Sequence, residues 1–240
     1  MLCRRLLRHA PRRHYSSALP LSSPTFAIFG ANTGVGKTLV STGLAASLLQ
    51  ASPSTVLYLK PLQTGFPADS DARFLFRKVP ELLRPSQAAR LVASLDTLSA
   101  APSVGTPPPP PEEAAFSYDG EGGVVRKRLA CRTLYAWRDA VSPHLAAERE
   151  GMAVEDVHVR SRLAACLVEG ENLGKREGEV WKLVETAGGV ASPGPSGTLQ
   201  CDIYRCVMML LQSLSWAYAT LSINVMDYVL CVTALLSSLN

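Results

Sequence analysis

The stretch GANTGVGKT at residues 30–38 constrains the chain more than any other. It follows a short apolar run, TFAIFG at 25–30, that reads as a buried parallel strand. It leads into TLVSTGLAASLLQ at 38–50, where Leu39, Leu44, Leu48 and Leu49 carry helical spacing although Gly43 weakens it. TVLYLK at 55–60 is β-branched and apolar, a second strand. Strand, glycine loop, helix and strand in that order predict a βαβ unit, and so an α/β fold with a parallel sheet.

A strand-to-helix glycine loop binds phosphate for physical reasons. Gly34 and Gly36, on either side of Val35, have no Cβ, so backbone N–H groups can close on phosphate oxygens. The helix that follows adds the positive end of its dipole. Lys37 is placed to neutralise β- and γ-phosphate charge, and the Thr38 hydroxyl to ligate Mg²⁺. Five residues separate Gly30 from Gly36, one more than the usual spacing. A plain glycine turn with a surface lysine is the competing reading, and Gly-Lys-Thr at a strand–helix junction argues against it.

The net charge of +4 is a property of the N-terminus. Arg4, Arg5, Arg8, Arg12 and Arg13 precede the first acid, Asp69, and without them the remainder is near neutral, at about −1. No nucleic-acid surface is expected. The first 20 residues are Arg-rich, Ser-containing and acid-free, with Leu2, Leu6 and Leu7 able to share a helical face. This is the pattern of a mitochondrial transit peptide, with a plastid address as the second option. The six cysteines form no Cys-x-x-Cys pair and are read as reduced and structural.

Further along, DARFLFRKV and SQAARLVASLDTL read as helices, as does VEDVHVRSRLAACLVEGENL at 154–173. EVWKLVETAGGV at 179–190 reads as a strand running into a glycine turn. Residues 101–123 are Pro- and Gly-rich and read as an exposed insert. Residues 206–226 carry no charge, but Gln212, Ser213, Ser215 and Asn224 make them a poor membrane span, and none is expected.

The long-spaced loop resembles the dethiobiotin synthetase and cobyrinic acid amide synthetase branch of P-loop proteins, with Ala31 and Asn32 where the branch carries Thr and Asp or Ser. LKPLQTG at 59–65 resembles the Lys-Pro-[Val/Leu]-x-[Ser/Thr]-Gly signature of dethiobiotin synthetase. DSDA at 69–72, SPHLAAEREG at 142–151 and VETAGG at 184–189 resemble that family's acidic segment, substrate-side loop and Val-Glu-Gly-Ala-Gly-Gly turn. The resemblance spans about 25–205, which gives a P-loop domain at 24–205. It also suggests the eukaryotic bifunctional form, in which a diaminopelargonate aminotransferase follows.

The resemblance implies carboxylation of 7,8-diaminononanoate by CO₂, phosphorylation by ATP with Mg²⁺, and ring closure to dethiobiotin. Lys37 and Lys60 would be catalytic. Gly34, Val35, Gly36, Lys37, Thr38, Leu39, Glu185, Thr186, Ala187 and Gly188 would bind ATP. Thr64, Gly188 and Gly189 would meet the substrate, and Thr38, Asp71 and Glu185 would hold the metal. Asp71 has a second reading, as cap of the following helix. His144 is given no catalytic role, and Tyr135 and Trp137 are packing residues. The family implies a homodimer.

After Arg205 the resemblance stops. The family continues with another parallel strand, a loop that meets the substrate's carboxylate tail and an Asn that reads adenine, whereas residues 206–240 look like unrelated apolar sequence. The expectation is a sheet incomplete at its C-terminus with little synthetase activity. The alternatives are a non-catalytic form of that enzyme and a cobyrinate-type amide synthetase. One test concerns the leader alone. Residues 1–18 fused to a fluorescent reporter should carry it into mitochondria, and a cytosolic reporter would contradict the transit-peptide reading.

Overall fold

The computed structural model describes residues 23–51, 55–88, 91–100, 112–115, 127–177, 179–204, 216–225 and 228–237. Its strands are β1 (Thr25–Gly30), β2 (Thr55–Gln63), β3 (Leu91–Thr97), β4 (Glu112–Ala115), β5 (Lys127–Ala136), β6 (Val180–Glu185), β7 (Trp216–Val225) and β8 (Tyr228–Ser237). Its helices include α1 (Lys37–Ala51), α2 (Asp71–Leu82), α3 (Pro85–Ala88), α4 (Pro143–Arg149) and α5 (Asp156–Glu177). The strands form one sheet in the order β4-β3-β5-β2-β6-β1-β8-β7. The five from β3 to β1 are mutually parallel. The fold is therefore α/β, a five-stranded parallel sheet flanked by helices.

Alternation along each strand decides which helices cover it. On β2, Leu57 and Leu59 join the core that includes Val159, Leu163 and Leu167 of α5 and Ala146 of α4. Val56 and Tyr58 join the opposite core, with Ala45 and Leu49 of α1 and Leu75 and Val79 of α2. Both faces of the central strand are buried, which is why it reads as a continuous apolar run. Two residues beyond Tyr58, Lys60 shares the α1–α2 face. On β6, Leu183 packs on that same face, and Glu185 follows it by the same period.

Several sequence expectations are corrected. SQAARLVASLDTL is not one helix but the short α3 followed by β3. Leu91, Ala93 and Leu95 of β3 are buried while the residues between them are less so, a period of two concealed by the helix-favouring Ala and Leu of the segment. SPHLAAEREG is helical rather than a loop over α4. β5 has no counterpart among the expected elements, and it lies between β2 and β3 in the sheet. Within the Pro- and Gly-rich insert, β4 pairs antiparallel with β3.

Within residues 206–240, β7 and β8 form an antiparallel hairpin, and β8 pairs antiparallel with β1 from Thr25↔Leu235 to Gly30↔Leu230. The β1 side of the parallel strands is thus covered by a hairpin. Among the described residues no parallel strand follows β6. No helix among them is long and apolar enough to cross a membrane. The transit-peptide reading of residues 1–20 lies outside the described residues.

One buried ion pair fastens α5 to the sheet. Lys182 of β6 is fully buried, and its ammonium donates to Glu171 of α5. The same carboxylate accepts from the backbone N–H of Ser23 at 3.0 Å and its hydroxyl at 3.3 Å, just before β1. Burial lowers the Lys182 pKa, and Glu171 acts against that shift. Removing one partner from such a pair leaves an uncompensated charge. Glu171→Leu should lower stability by about 3–5 kcal/mol, read from the urea midpoint, and Lys182→Met added to it should recover part of the loss. A single-variant change below about 1 kcal/mol would contradict this account.

Candidate nucleotide-binding site

β6 lies between β1 and β2, so the carboxyl ends of three adjacent parallel strands lie side by side. Ligands of open parallel sheets bind there. β1 delivers the glycine loop, β2 delivers Lys60, and β6 ends on Glu185. The register Leu59↔Val184 puts Lys60 next to Glu185.

The loop has the geometry that the motif demands. Gly34 and Gly36 have φ of 76° and 90°, the left-handed region that a side chain disfavours. Residues 31–34 are exposed, whereas Lys37, the first residue of α1, is buried. Val35 packs against the α1–α2 core, and Leu39 is 65% exposed and faces away from it. The Lys37 ammonium donates to the carbonyl oxygens of Asn32 at 2.8 Å and Gly188 at 2.7 Å. It therefore ties the phosphate loop to the turn after β6. Burial, and then the Lys60 ammonium, lower its pKa to about 8.

That second turn is packed directly on the first. A Cβ on Gly189 would stand 2.4 Å from the Ala31 carbonyl oxygen, so only glycine permits the approach. Val190 N–H donates to the Gly30 carbonyl at 2.8 Å. Thr186 is buried, with its hydroxyl donating to the Ile28 carbonyl at 3.1 Å. Ala187 N–H donates to Gln200 Oε1 at 3.2 Å. Gly188 turns the chain with φ of 59°.

The charged centre lies behind the loop. Lys60 is 3% exposed, and its Nζ stands 2.6 Å from Asp71 Oδ2 and 3.0 Å from Glu185 Oε1. It also donates to the Thr186 carbonyl at 3.2 Å. Burial pulls the Lys60 pKa down, but Glu185 and Asp71 more than offset it, and the net direction is upward. The Thr38 hydroxyl is 2.8 Å from Asp71 Oδ1 and 2.9 Å from Glu185 Oε1, and can donate to one at a time. Asp71 is not the cap of α2: Ser70 holds that position and accepts from Arg73 N–H at 3.3 Å.

Three participants were not legible as motif residues. Gln63 accepts from Asp71 N–H at 3.0 Å through its carbonyl oxygen, and its amide donates to the Asp69 and Thr64 carbonyls at 2.9 and 2.7 Å. It fixes the segment that aims Asp71. Ser41 and Tyr58 both reach Glu185 Oε2, at 2.5 and 3.0 Å. Thr64 is half-buried at the end of β2 and is not in contact with the charged centre through any of these bonds. Tyr135 and Trp137 stack on each other with ring centroids 6.5 Å apart, and Trp137 is fully buried.

Thr38, Asp71 and Glu185 could hold a divalent cation. All three offer hard oxygen, and Mg²⁺ commonly takes one or two carboxylates and completes its shell with water and phosphate. No group of three or more His, Cys, Asp or Glu suited to a metal occurs among the described residues. A two-carboxylate and hydroxyl set therefore fits Mg²⁺ bound together with phosphate rather than a self-sufficient metal cage.

Fold and site together define an α/β protein of the P-loop nucleotide-binding type. The chain is a close homologue of the dethiobiotin synthetase part of plant bifunctional enzymes. It is 60% identical over 218 residues to the mitochondrial bifunctional dethiobiotin synthetase/7,8-diamino-pelargonic acid aminotransferase of Oryza sativa subsp. japonica, covering 84% of this chain and 26% of that protein. It is 48% identical over 217 residues to the Arabidopsis thaliana protein described in the same words, with the same shares covered. Over 50 residues it is 48% identical to the ATP-dependent dethiobiotin synthetase BioD of Haloferax mediterranei, 21% of each chain. That relative is named for the synthetase alone. The chain spans about a quarter of the length of the plant relatives, at 26% of each. No protein-family model matches it.

Lys37 lies at the mouth of the core and contacts two carbonyls that water can satisfy in its place. Lys37→Ala should weaken ATP binding about a hundredfold by calorimetry and leave the urea midpoint nearly unchanged. Equal affinity in both proteins would remove the phosphate-loop reading.

Proposed function

We propose that the chain converts 7,8-diaminononanoate, CO₂ and ATP to dethiobiotin, ADP and phosphate at this site. The observation that carries the proposal is the Lys60–Asp71–Glu185 cluster. It stands at the carboxyl ends of adjacent strands, directly behind a glycine loop that ends in Lys37 and Thr38. Homology to dethiobiotin synthetase supports the reaction class, an ATP-dependent ligase of biotin biosynthesis.

Such a reaction needs positioned charge more than a covalent nucleophile. The backbone N–H groups around Gly34, Val35 and Gly36 cradle phosphate, and Lys37 meets the charge of its outer oxygens. Lys60, held in place by two carboxylates, is poised to donate to the carbamate of the substrate and to the phosphoryl group it receives. When bound, Mg²⁺ would be held by Thr38, Asp71 and Glu185 and would neutralise phosphate charge. Thr64 orients the substrate amine, and Gly188 and Gly189 let the backbone approach it. Leu39, exposed on α1, and Thr186, turned to β1, are the weaker members of the nucleotide set. The word mitochondrial in the plant relatives' names and the basic leader support a mitochondrial location. A homodimer is proposed on the resemblance alone.

One observation favours a second reading, nucleotide binding with slow turnover. β8 runs antiparallel beside β1, where the resemblance implies a further parallel strand and the segments that meet the substrate tail and adenine. The experiment measures dethiobiotin formation from diaminononanoate, bicarbonate and Mg·ATP. It compares this chain with a version carrying the rice relative's continuation after Arg205. The second version should be at least tenfold faster, and Lys60→Ala in it should lower turnover by about a hundredfold or more. Activity that survives Lys60→Ala would contradict the proposed function. Equal rates in the two parent versions would remove the second reading.

A further inference from the structure

Glu185 is completely buried, and its two oxygens have separate sets of partners. Oε1 faces forward to the Thr38 hydroxyl and the Lys60 ammonium, at 2.9 and 3.0 Å. Oε2 faces back to the Ser41 and Tyr58 hydroxyls, at 2.5 and 3.0 Å. The arrangement follows from two periodicities. Thr38 and Ser41 are three residues apart on α1, so both point from one helical face. Tyr58 and Lys60 are two residues apart on β2, so both point from one sheet face. Each element thus contributes one group to the front oxygen and one to the rear. The phosphate-loop and Lys-Pro motifs account for the front pair only.

We propose that Ser41 and Tyr58 are positioning residues that fix the Glu185 carboxylate with Oε1 turned toward Thr38 and Asp71, and so set the divalent-cation affinity of the site. This rests on the proposed function. The rear pair bonds the oxygen turned away from Thr38 and Lys60. A carboxylate hydrogen-bonded through one oxygen cannot swing about its terminal bond, so the other oxygen keeps one direction. Tyr58 is suited to this because its ring belongs to the core that also holds Ile28, Ala45, Ala72 and Leu75, with no exposed surface. Ser41 is suited because its hydroxyl sits between Glu185 Oε2 and the Lys37 carbonyl, at 2.5 and 3.0 Å. That contact anchors it to the turn of α1 that carries Lys37 and Thr38. Partners of this kind, once removed, commonly cost ten- to a hundredfold in metal affinity.

The test uses the full chain with ADP as probe. ADP is titrated by calorimetry at several Mg²⁺ concentrations and in EDTA, for the unaltered chain, Tyr58→Phe and Ser41→Ala, with the urea midpoint of each. Tyr58→Phe removes one oxygen and keeps the ring. The expected result is that each variant needs about tenfold more Mg²⁺ to reach the same ADP affinity, while affinity in EDTA stays within twofold. A purely structural role would lower the urea midpoint and leave the Mg²⁺ requirement where it was, and that result overturns the inference. An unaltered chain whose ADP affinity does not depend on Mg²⁺ overturns the metal reading of the site and the inference with it. Normal Mg²⁺-dependent binding without dethiobiotin formation contradicts the proposed function alone.

Discussion

A carboxylate with no exposed surface is the interaction around which the site is organised. Glu185 stands at the end of β6 with no access to water, where an unpaired charge would be prohibitive. Its compensation comes from four donors on two elements, Thr38 and Ser41 of α1 and Tyr58 and Lys60 of β2. Meeting that requirement fixes α1 against the sheet and sets the register of β2 beside β6. The glycine loop is then placed by its own ends, because β1 and α1 are both tied to this centre.

The cluster is also charge-balanced in a way that suits phosphate chemistry. Two carboxylates, Asp71 and Glu185, face two buried ammonium groups, Lys37 and Lys60. Lys60 is bound to both acids, whereas Lys37 donates only to backbone carbonyls. Its depressed pKa records the desolvation and the repulsion from Lys60 that it bears, and an incoming anion would relieve both. Preorganised charge of this kind is how a site stabilises phosphoryl transfer without a nucleophile of its own.

How much of this could be read from the sequence depended on the distance over which the information acts. β1, α1 and β2 were legible because strand, loop and helix each declare themselves within a few residues. β3 was not, because its alternating Leu91, Ala93 and Leu95 lie in a segment of helix formers. β5 was missed because Arg132 interrupts it, and its compensation comes from Glu169 of α5 and Asp96 of β3, far away in the chain. Among the side chains that the structure brings together, Lys37, Thr38, Lys60, Asp71 and Glu185 could be singled out in the sequence because they sit inside short motifs. Ser41 and Tyr58 sit one helical turn and one strand repeat outside them, and only the packing of α1 on β2 and β6 brings them to the same oxygen. The hairpin of β7 and β8 was illegible for another reason: neither strand shows a clean period, and its pairing with β1 is a long-range choice.

The claim on which the rest depends is that Thr38, Asp71 and Glu185 form a divalent-cation site behind the phosphate loop. Crystals of the chain grown with Mn²⁺ and a non-hydrolysable ATP analogue would test it by anomalous scattering. The account predicts a manganese peak within about 2.0–2.3 Å of the Thr38 hydroxyl or of an oxygen of Asp71 or Glu185, bridging to phosphate. It also predicts that Lys60 moves off the oxygen that the metal takes. Nucleotide bound at the loop with no manganese there, and Lys60 still between the two carboxylates, would contradict it.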